Sequence, residues 1–399
     1  MNQLDQIFDS VGTRSLFKNK QILQSNYTPE NIPHRDKEIE HIASILAPSL
    51  LGEKPSNLFV YGKTGTGKTV CVQHVANELS KRAKDSKVLR IEYINCKLKK
   101  VADTEYRILA ELIKKLGGNV PATGLPTDQV YLKFLEILEK SEEKLLLLIF
   151  DEVDQAVNKM SDNFLYNLTR LNSELHNIQI SIIGISNDTR FLDYLDPRVR
   201  SSLSEEELVF PPYNAIQLQD ILNKRAEQAF KTACVTEGVI AKCAAFAARE
   251  HGDARRALDL LRVAGELAER DAESKIKIAH IDQANAKIER DKILDIIETE
   301  PKQFQLVLYS ILKLSEKNDV DIFTGDVYSY YEALCKRINM DVLTQRRVSD
   351  ILAEFDMLGL INARVVSKGR QGRMREIKLS IPENILKKSE QILIDSLGL

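Results

Sequence analysis

The sequence predicts an α/β core on a five-stranded parallel sheet, then an all-helical part, then a C-terminal unit of three helices and a β-hairpin. Three observations carry this. From about Pro33 to Pro212, strand-like runs alternate with helical patterns, which is how a parallel sheet is covered on both faces. Pro211-Pro212 ends the β signal, and only helical patterns follow up to residue 296. Beyond Thr299, threonines placed as helix caps alternate with helical patterns, and two alternating apolar runs come last.

Residues 1–30 are polar with isolated apolar positions and read as an arm; the core spans 31–212, the helical part 213–296 and the C-terminal unit 297–399. The predicted strands are Asn57–Tyr61, Val88–Asn95, Leu145–Phe150, Ile178–Ser186 and Glu207–Phe210. Leu145–Phe150 and Ile180–Ile185 are almost continuously apolar, as strands buried on both faces are. Among the intervening helices, Val70–Lys84 puts Val72, Val75, Ala76 and Leu79 on one face. After the prolines, helices are predicted over Ala215–Lys231, Val239–Arg249, Ala254–Arg270 and Ile281–Arg290. Thr299, with Pro301 near the first turn, is read as the cap of Lys302–Leu314, and Thr324 and Thr344 as caps of two further helices. In the last of these, Val348, Ile351, Leu352, Phe355 and Leu358 form a core-facing stripe. The runs Ile361-Ala363-Val365 and Ile377-Leu379-Ile381 then make a hairpin, which completes a winged-helix pattern.

Composition narrows the function classes. The 399 residues are 43% hydrophobic and 29% charged, ordinary for a globular chain of two or three domains. With 56 basic against 58 acidic residues, the chain is not a uniformly basic nucleic-acid binder, although a local basic site is compatible. The longest aliphatic run is too short to cross a bilayer, and the N-terminus lacks the regions of a signal peptide, so no membrane partner is expected. Five scattered cysteines without a CxxC pair suggest reduced thiols in an intracellular protein rather than a disulfide framework or zinc site.

Gly62-Lys63-Thr64-Gly65-Thr66-Gly67-Lys68-Thr69 is a complete GxxxxGK[ST] phosphate loop between a predicted strand and a predicted helix. Its glycines let backbone N–H groups curl around phosphate oxygens, and the helix aims its positive end at the anion. Lys68 is assigned to the β- and γ-phosphates and Thr69 to Mg²⁺. Asp151 and Glu152, ending the strand Leu145–Phe150, are assigned to Mg²⁺ and to polarising the attacking water. Asn187, ending another strand, is read as a γ-phosphate sensor, and Arg255, at a helix start where positive charge is unfavourable, as a group reaching back to the phosphates.

Together these segments resemble the Walker A, Walker B, sensor 1 and sensor 2 elements of AAA+ ATPases, and with the winged helix they resemble the archaeal Orc1/Cdc6 replication initiators over nearly the whole chain. The resemblance implies an AAA+ core, an α-helical lid and a winged-helix DNA-binding domain. It makes Asn31–Arg35 similar to a motif around the adenine, and it assigns Ile32, His34, Arg35, Tyr213 and Arg225 to the nucleotide. It further implies ATP or ADP with Mg²⁺, weak switch-like ATP hydrolysis, origin duplex DNA, the replicative helicase or other initiator copies as partners, oligomers on DNA, and a cytoplasmic, nucleoid-associated protein. Where many AAA+ proteins carry Ser-Arg-Phe, this chain has Ser201-Ser202-Leu203, and Arg200 is the nearby candidate for an arginine acting in trans.

The candidate DNA contacts are Thr344, Gln345, Arg346 and Arg347 at the start of the last helix, with Lys368, Arg370, Arg373 and Arg375 on the wing. Residues 361–378 hold six lysines and arginines against one acid. The Gly117–Asp128 stretch resembles the initiator-specific insertion and has no basic residue. Two other functions fit the same residues: an AAA+ assembly or remodelling ATPase whose winged helix binds protein, and an ATP-gated transcriptional regulator.

Overall fold

The computed structural model describes residues 15–24, 27–83, 88–97, 104–121, 124–203, 205–316, 321–367 and 373–399. The chain divides into two compact units, Met1–Ile281 and Asp282–Leu399.

In the first unit the elements run α1 (Asp36–Leu46), β1 (Asn57–Tyr61), α2 (Lys68–Ala83), β2 (Leu89–Asn95), α3 (Glu105–Lys115), α4 (Thr127–Glu139), β3 (Leu145–Asp151), α5 (Val153–Met160), α6 (Asn163–Arg170), β4 (Gln179–Ser186), α7 (Pro197–Leu203) and β5 (Glu205–Val209). The strands form one parallel sheet in the order β2-β3-β4-β1-β5. Alternation hidden in the apolar strands sorts the two faces. Leu146, Leu148 and Phe150 of β3 pack with α3, α4 and α6 on one side. Leu147 and Ile149 pack with α1 and α2 on the other. This order puts β4 beside β1 and β3 beside β4, so in the parallel sheet the carboxyl ends of all three strands lie on the side of the loop after β1.

The lid helices follow as α8 (Ala215–Ala229), α9 (Val239–Arg249) and α10 (Ala254–Arg270), and α11 (Ile278–Thr299) leads into the second unit. The arm is anchored on this lid. Leu16, Phe17, Ile22 and Leu23 are buried, Phe17 stacks near Phe230, and Lys20 pairs with Glu266 at 2.7 Å.

The second unit contains α12 (Lys302–Ser315), β6 (Ile322–Phe323), α13 (Thr324–Arg337), α14 (Gln345–Met357), β7 (Ile361–Ser367), β8 (Arg373–Leu379) and α15 (Glu383–Leu397). The strands form an antiparallel sheet in the order β6-β8-β7. Several sequence expectations are corrected here. Thr299 ends α11, its hydroxyl donating to Asp295 O at 2.8 Å, and Pro301 occupies the N-cap of α12. The N-cap before α13 is Phe323, whose N–H donates to Asp326 at 2.9 Å, so Thr324 is the first helical residue. Thr344 does cap α14, accepting from Arg347 N–H. Leu358 is 36% exposed; Leu360, at 0%, takes the core place beside Phe355.

Candidate functional site

The phosphate loop bends because of its glycines. Gly65 has φ +73°, and a Cβ there would lie 1.7 Å from Asp253 Oδ1. Gly67 has φ +95°, and its Cβ would lie 2.9 Å from the Tyr213 hydroxyl. Side chains at either position would drive the loop off the lid, so the glycines serve close approach as well as backbone freedom. The lid touches the loop directly, since Ala254 N–H donates to Gly65 O at 3.2 Å.

Lys68 opens α2 and is nearly buried. Its ammonium donates to Gly62 O at 2.8 Å, Lys63 O at 2.9 Å and Asn187 Oδ1 at 2.9 Å. Burial pushes its pKa down to about 8, with Arg255 adding to the depression and Asp151 opposing it. Because the folded value lies below the unfolded one, the native state binds fewer protons between about pH 8 and 10.5, and stability rises with pH across that window. An anion bound at Lys68 would restore the ammonium. Nucleotide binding near pH 8 is therefore expected to take up protons, and uptake should vanish below about pH 7, where Lys68 is already charged. Calorimetry in buffers of different ionisation enthalpy measures this; no buffer dependence at pH 8 would contradict it.

Thr69 Oγ1 donates to Asp151 Oδ2 at 3.0 Å, and the same oxygen accepts from the Tyr93 hydroxyl at 2.6 Å. Asp151 Oδ1 accepts from Glu152 N–H at 3.0 Å. Glu152 has φ 54°, a left-handed conformation that costs a non-glycine residue energy. Its carboxylate lies 3.7 Å from the Lys97 ammonium. Asp253 caps α10, accepting from Arg255 and Arg256 N–H, which leaves the Arg255 side chain exposed at the lid's edge.

These groups line one cavity of about 920 Å³. Gly65, Gly67, Lys68, Thr69, Asp151, Glu152, Asn187, Arg255, Ile32, Tyr213 and Arg225 all lie on its wall. Arg225 sits under the Tyr27 ring, 4.6 Å from its centroid, and donates to Ile22 O at 3.2 Å. Gly62, Lys63, Thr64 and Thr66 shape the loop outside the lining. Two residues assigned to the nucleotide do not line the cavity. His34 turns away from the cavity to pair with Asp220 of α8 at 2.9 Å, and Arg35 is buried beneath the loop, 2% exposed. Arg200, read as acting in trans on a neighbouring site, is outside this chain's own cavity, on α7, 3.6 Å from Asp193 and 3.7 Å from Glu207. Sequence reasoning missed Tyr93 and Asn95 of β2, and Gln73 of α2. The β2–β3 register pairs Asn95 with Asp151, so knowledge of the strand order would have pointed to them.

In the second unit, Thr344, Gln345, Arg346 and Arg347 stand at the solvent-facing start of α14. Arg375 reaches toward that helix, with Nη1 3.5 Å from Ser349 O. Lys368 and Arg370 lie outside the described residues, as does the Arg373 side chain. Gly117–Asp128 connects α3 to α4, where Lys133 donates to Asn119 O at 2.7 Å; Thr123 lies outside the described residues.

Comparison with known proteins agrees with this architecture. Residues 31–183 match the AAA ATPase domain, 219–286 the Cdc6 AAA+ ATPase-type lid domain, and 295–389 the CDC6 C-terminal winged helix domain. An ORC1-type DNA replication protein of Thermococcus onnurineus is 51% identical over 386 residues, covering 95% of this chain and 92% of the relative. The chain belongs to the ORC1-type DNA replication proteins. A second member, from Archaeoglobus fulgidus, is 49% identical over 385 residues, covering 96% of this chain and 93% of its own. Among solved structures, the Aeropyrum pernix Orc1 protein in complex with DNA matches with a TM-score of 0.84 and 41% identity, over 95% of this chain and 97% of that one. Cdc6p from Pyrobaculum aerophilum shares the fold, with a TM-score of 0.60 and 20% identity over 96% and 99% of the chains. This ORC1-type chain thus carries an AAA+ ATPase core, a Cdc6-type lid and a C-terminal winged helix. Among its described residues, no helix is long and apolar enough to cross a membrane.

Proposed function

We propose that this ORC1-type protein is an ATP-controlled initiator that binds duplex DNA through its winged helix and helps to bring the replicative helicase to origins. The observation that carries the reading is the convergence of Lys68, Thr69, Asp151, Glu152, Asn187 and Arg255 on one cavity roofed by the lid. Relatives support the DNA half, since one was solved in complex with DNA at 41% identity.

The residues fit a Mg²⁺-nucleotide. The loop leaves no room for a side chain at Gly65 or Gly67, a nearly buried ammonium reaches the loop, and a hydroxyl–carboxylate pair stands beside it. Among the described residues, no three His, Cys, Asp or Glu side chains cluster as a self-sufficient metal site. Thr69 and Asp151 would hold Mg²⁺ together with phosphate oxygens, as this ion prefers, and it would supply charge neutralisation at the transferring phosphoryl group. Lys68 holds the β- and γ-phosphates, and Asn187, which bonds Lys68, senses the γ position. Glu152, fixed by its strained backbone at the end of β3, orients water for attack. Turnover is slow and switch-like, because Arg255 ties the lid to the phosphates while the arginine for a neighbouring site, Arg200, is held by its own chain's acids.

Fluorescence anisotropy with duplex DNA over a salt series tests the DNA half. Arg370→Ala with Arg373→Ala should weaken binding on all sequences alike. The slope of log K against log salt falls by about 0.9 for each phosphate no longer neutralised, so the double variant should give up about two. An unchanged slope would remove the wing from the interface and favour a protein partner.

A further inference from the structure

Arg35, which the sequence assigns to the nucleotide, is buried instead between the phosphate loop and the lid hinge. Its Nε donates to Thr66 O at 2.9 Å, its Nη2 to Pro211 O at 2.5 Å, and its Nη1 to Glu38 Oε1 at 2.9 Å. The guanidinium lies 4.0 Å from the Tyr213 ring centroid and 5.3 Å from that of Phe210. Phe210–Tyr213 is the segment that carries the chain from β5 into the first lid helix. One side chain therefore bonds the loop at one end and the hinge at the other.

We propose that Arg35 is a positioning residue that makes the core-to-lid hinge respond to the phosphate loop. The inference rests on the nucleotide reading of the cavity and adds a route by which occupancy reaches the lid. Thr66 precedes Gly67 and Lys68, so a loop that closes on phosphate turns the Thr66 carbonyl. A guanidinium is a rigid planar fork, and it cannot follow Thr66 O without pulling on Pro211 O. The hinge does not absorb the pull locally. Phe210 N–H is fastened to Tyr61 O at 2.7 Å, and two consecutive prolines have fixed φ. Tyr213, stacked on the guanidinium, is where the displacement emerges. Gly252 packs against the backbone of Tyr213, which connects the same movement to the helix carrying Arg255. A lysine could keep the charge opposite Glu38 but could not hold both carbonyls in a fixed plane.

Hydrogen–deuterium exchange on the full chain tests this, with ATP added to saturation for each variant. In the wild type, ATP should slow exchange at both Gly65–Thr69 and Tyr213–Leu218, by about tenfold or more. In Arg35→Lys, the loop should slow as before while the hinge segment changes by less than about twofold. Arg35→Met should show the same split; if it does not fold, Arg35→Lys carries the test. An arginine that merely stabilised the fold would loosen both segments without nucleotide and leave the ATP-dependent difference intact. A hinge response of wild-type size in Arg35→Lys, or a wild-type hinge that ignores ATP while the loop responds, overturns the proposal alone. A wild-type loop that ATP does not protect overturns the nucleotide reading and this inference with it.

Discussion

Purified Lys68→Ala protein is expected to stay folded and lose nucleotide binding, its affinity falling on the order of a hundredfold or more as charged hydrogen bonds worth about 1.5–3 kcal/mol each are removed. Folding should survive because the ammonium is a cost in the native state: burial pushes its pKa down to about 8. Only with an anion in reach does that charge become favourable. Removing it relieves a desolvation penalty and leaves Gly62 O, Lys63 O and Asn187 Oδ1 without this donor. A thermal melt and a fluorescent-nucleotide titration separate the two effects. ATP bound as tightly as by wild type would place the phosphates elsewhere.

Glu152→Gln is expected to keep ATP affinity within a few-fold and to lower turnover by roughly 10²–10⁴, the range of a positioned acid–base group. The amide preserves size and the strained backbone but cannot accept a proton. The Asp151 bonds to Thr69 and Tyr93 do not involve Glu152's side chain, so the Thr69–Asp151 pair should be undisturbed. Single-turnover phosphate release, with nucleotide affinity measured alongside, checks it. Turnover within about threefold of wild type would assign the activating role to another group.

The parts of this site that are legible in the sequence are those in which local spacing fixes the chemistry. A phosphate loop needs its glycines and lysine at set positions, so Gly62–Thr69 announces itself. A strand buried on both faces must be apolar along its length, so the carboxylates come only at the end of β3, at Asp151, and just past it, at Glu152. The helices Val239–Arg249 and Ala254–Arg270 have the bounds their periodicity predicts. What stays hidden depends on which elements become neighbours. Tyr93 reaches Asp151 only because β2 lies beside β3, and no period within β2 states that. Arg35 reads as a polar motif residue until its carbonyl partners, from loop and hinge, are placed around it. Helix Glu383–Leu397 is hard to read because Ser389 interrupts its buried positions Ile385, Leu393 and Leu397. Thr299 and Thr324 show the limit of cap rules: each has a suitable side chain, yet the backbone turns one residue or more away.

The central claim, that nucleotide state governs the grip on DNA, is tested most directly by the affinity of one Glu152→Gln preparation for duplex DNA, loaded in turn with ATP and with ADP at fixed salt. The account predicts two dissociation constants that differ by about tenfold, within the usual range of coupling between sites. Equal constants, or no binding to duplex in either state, would contradict it.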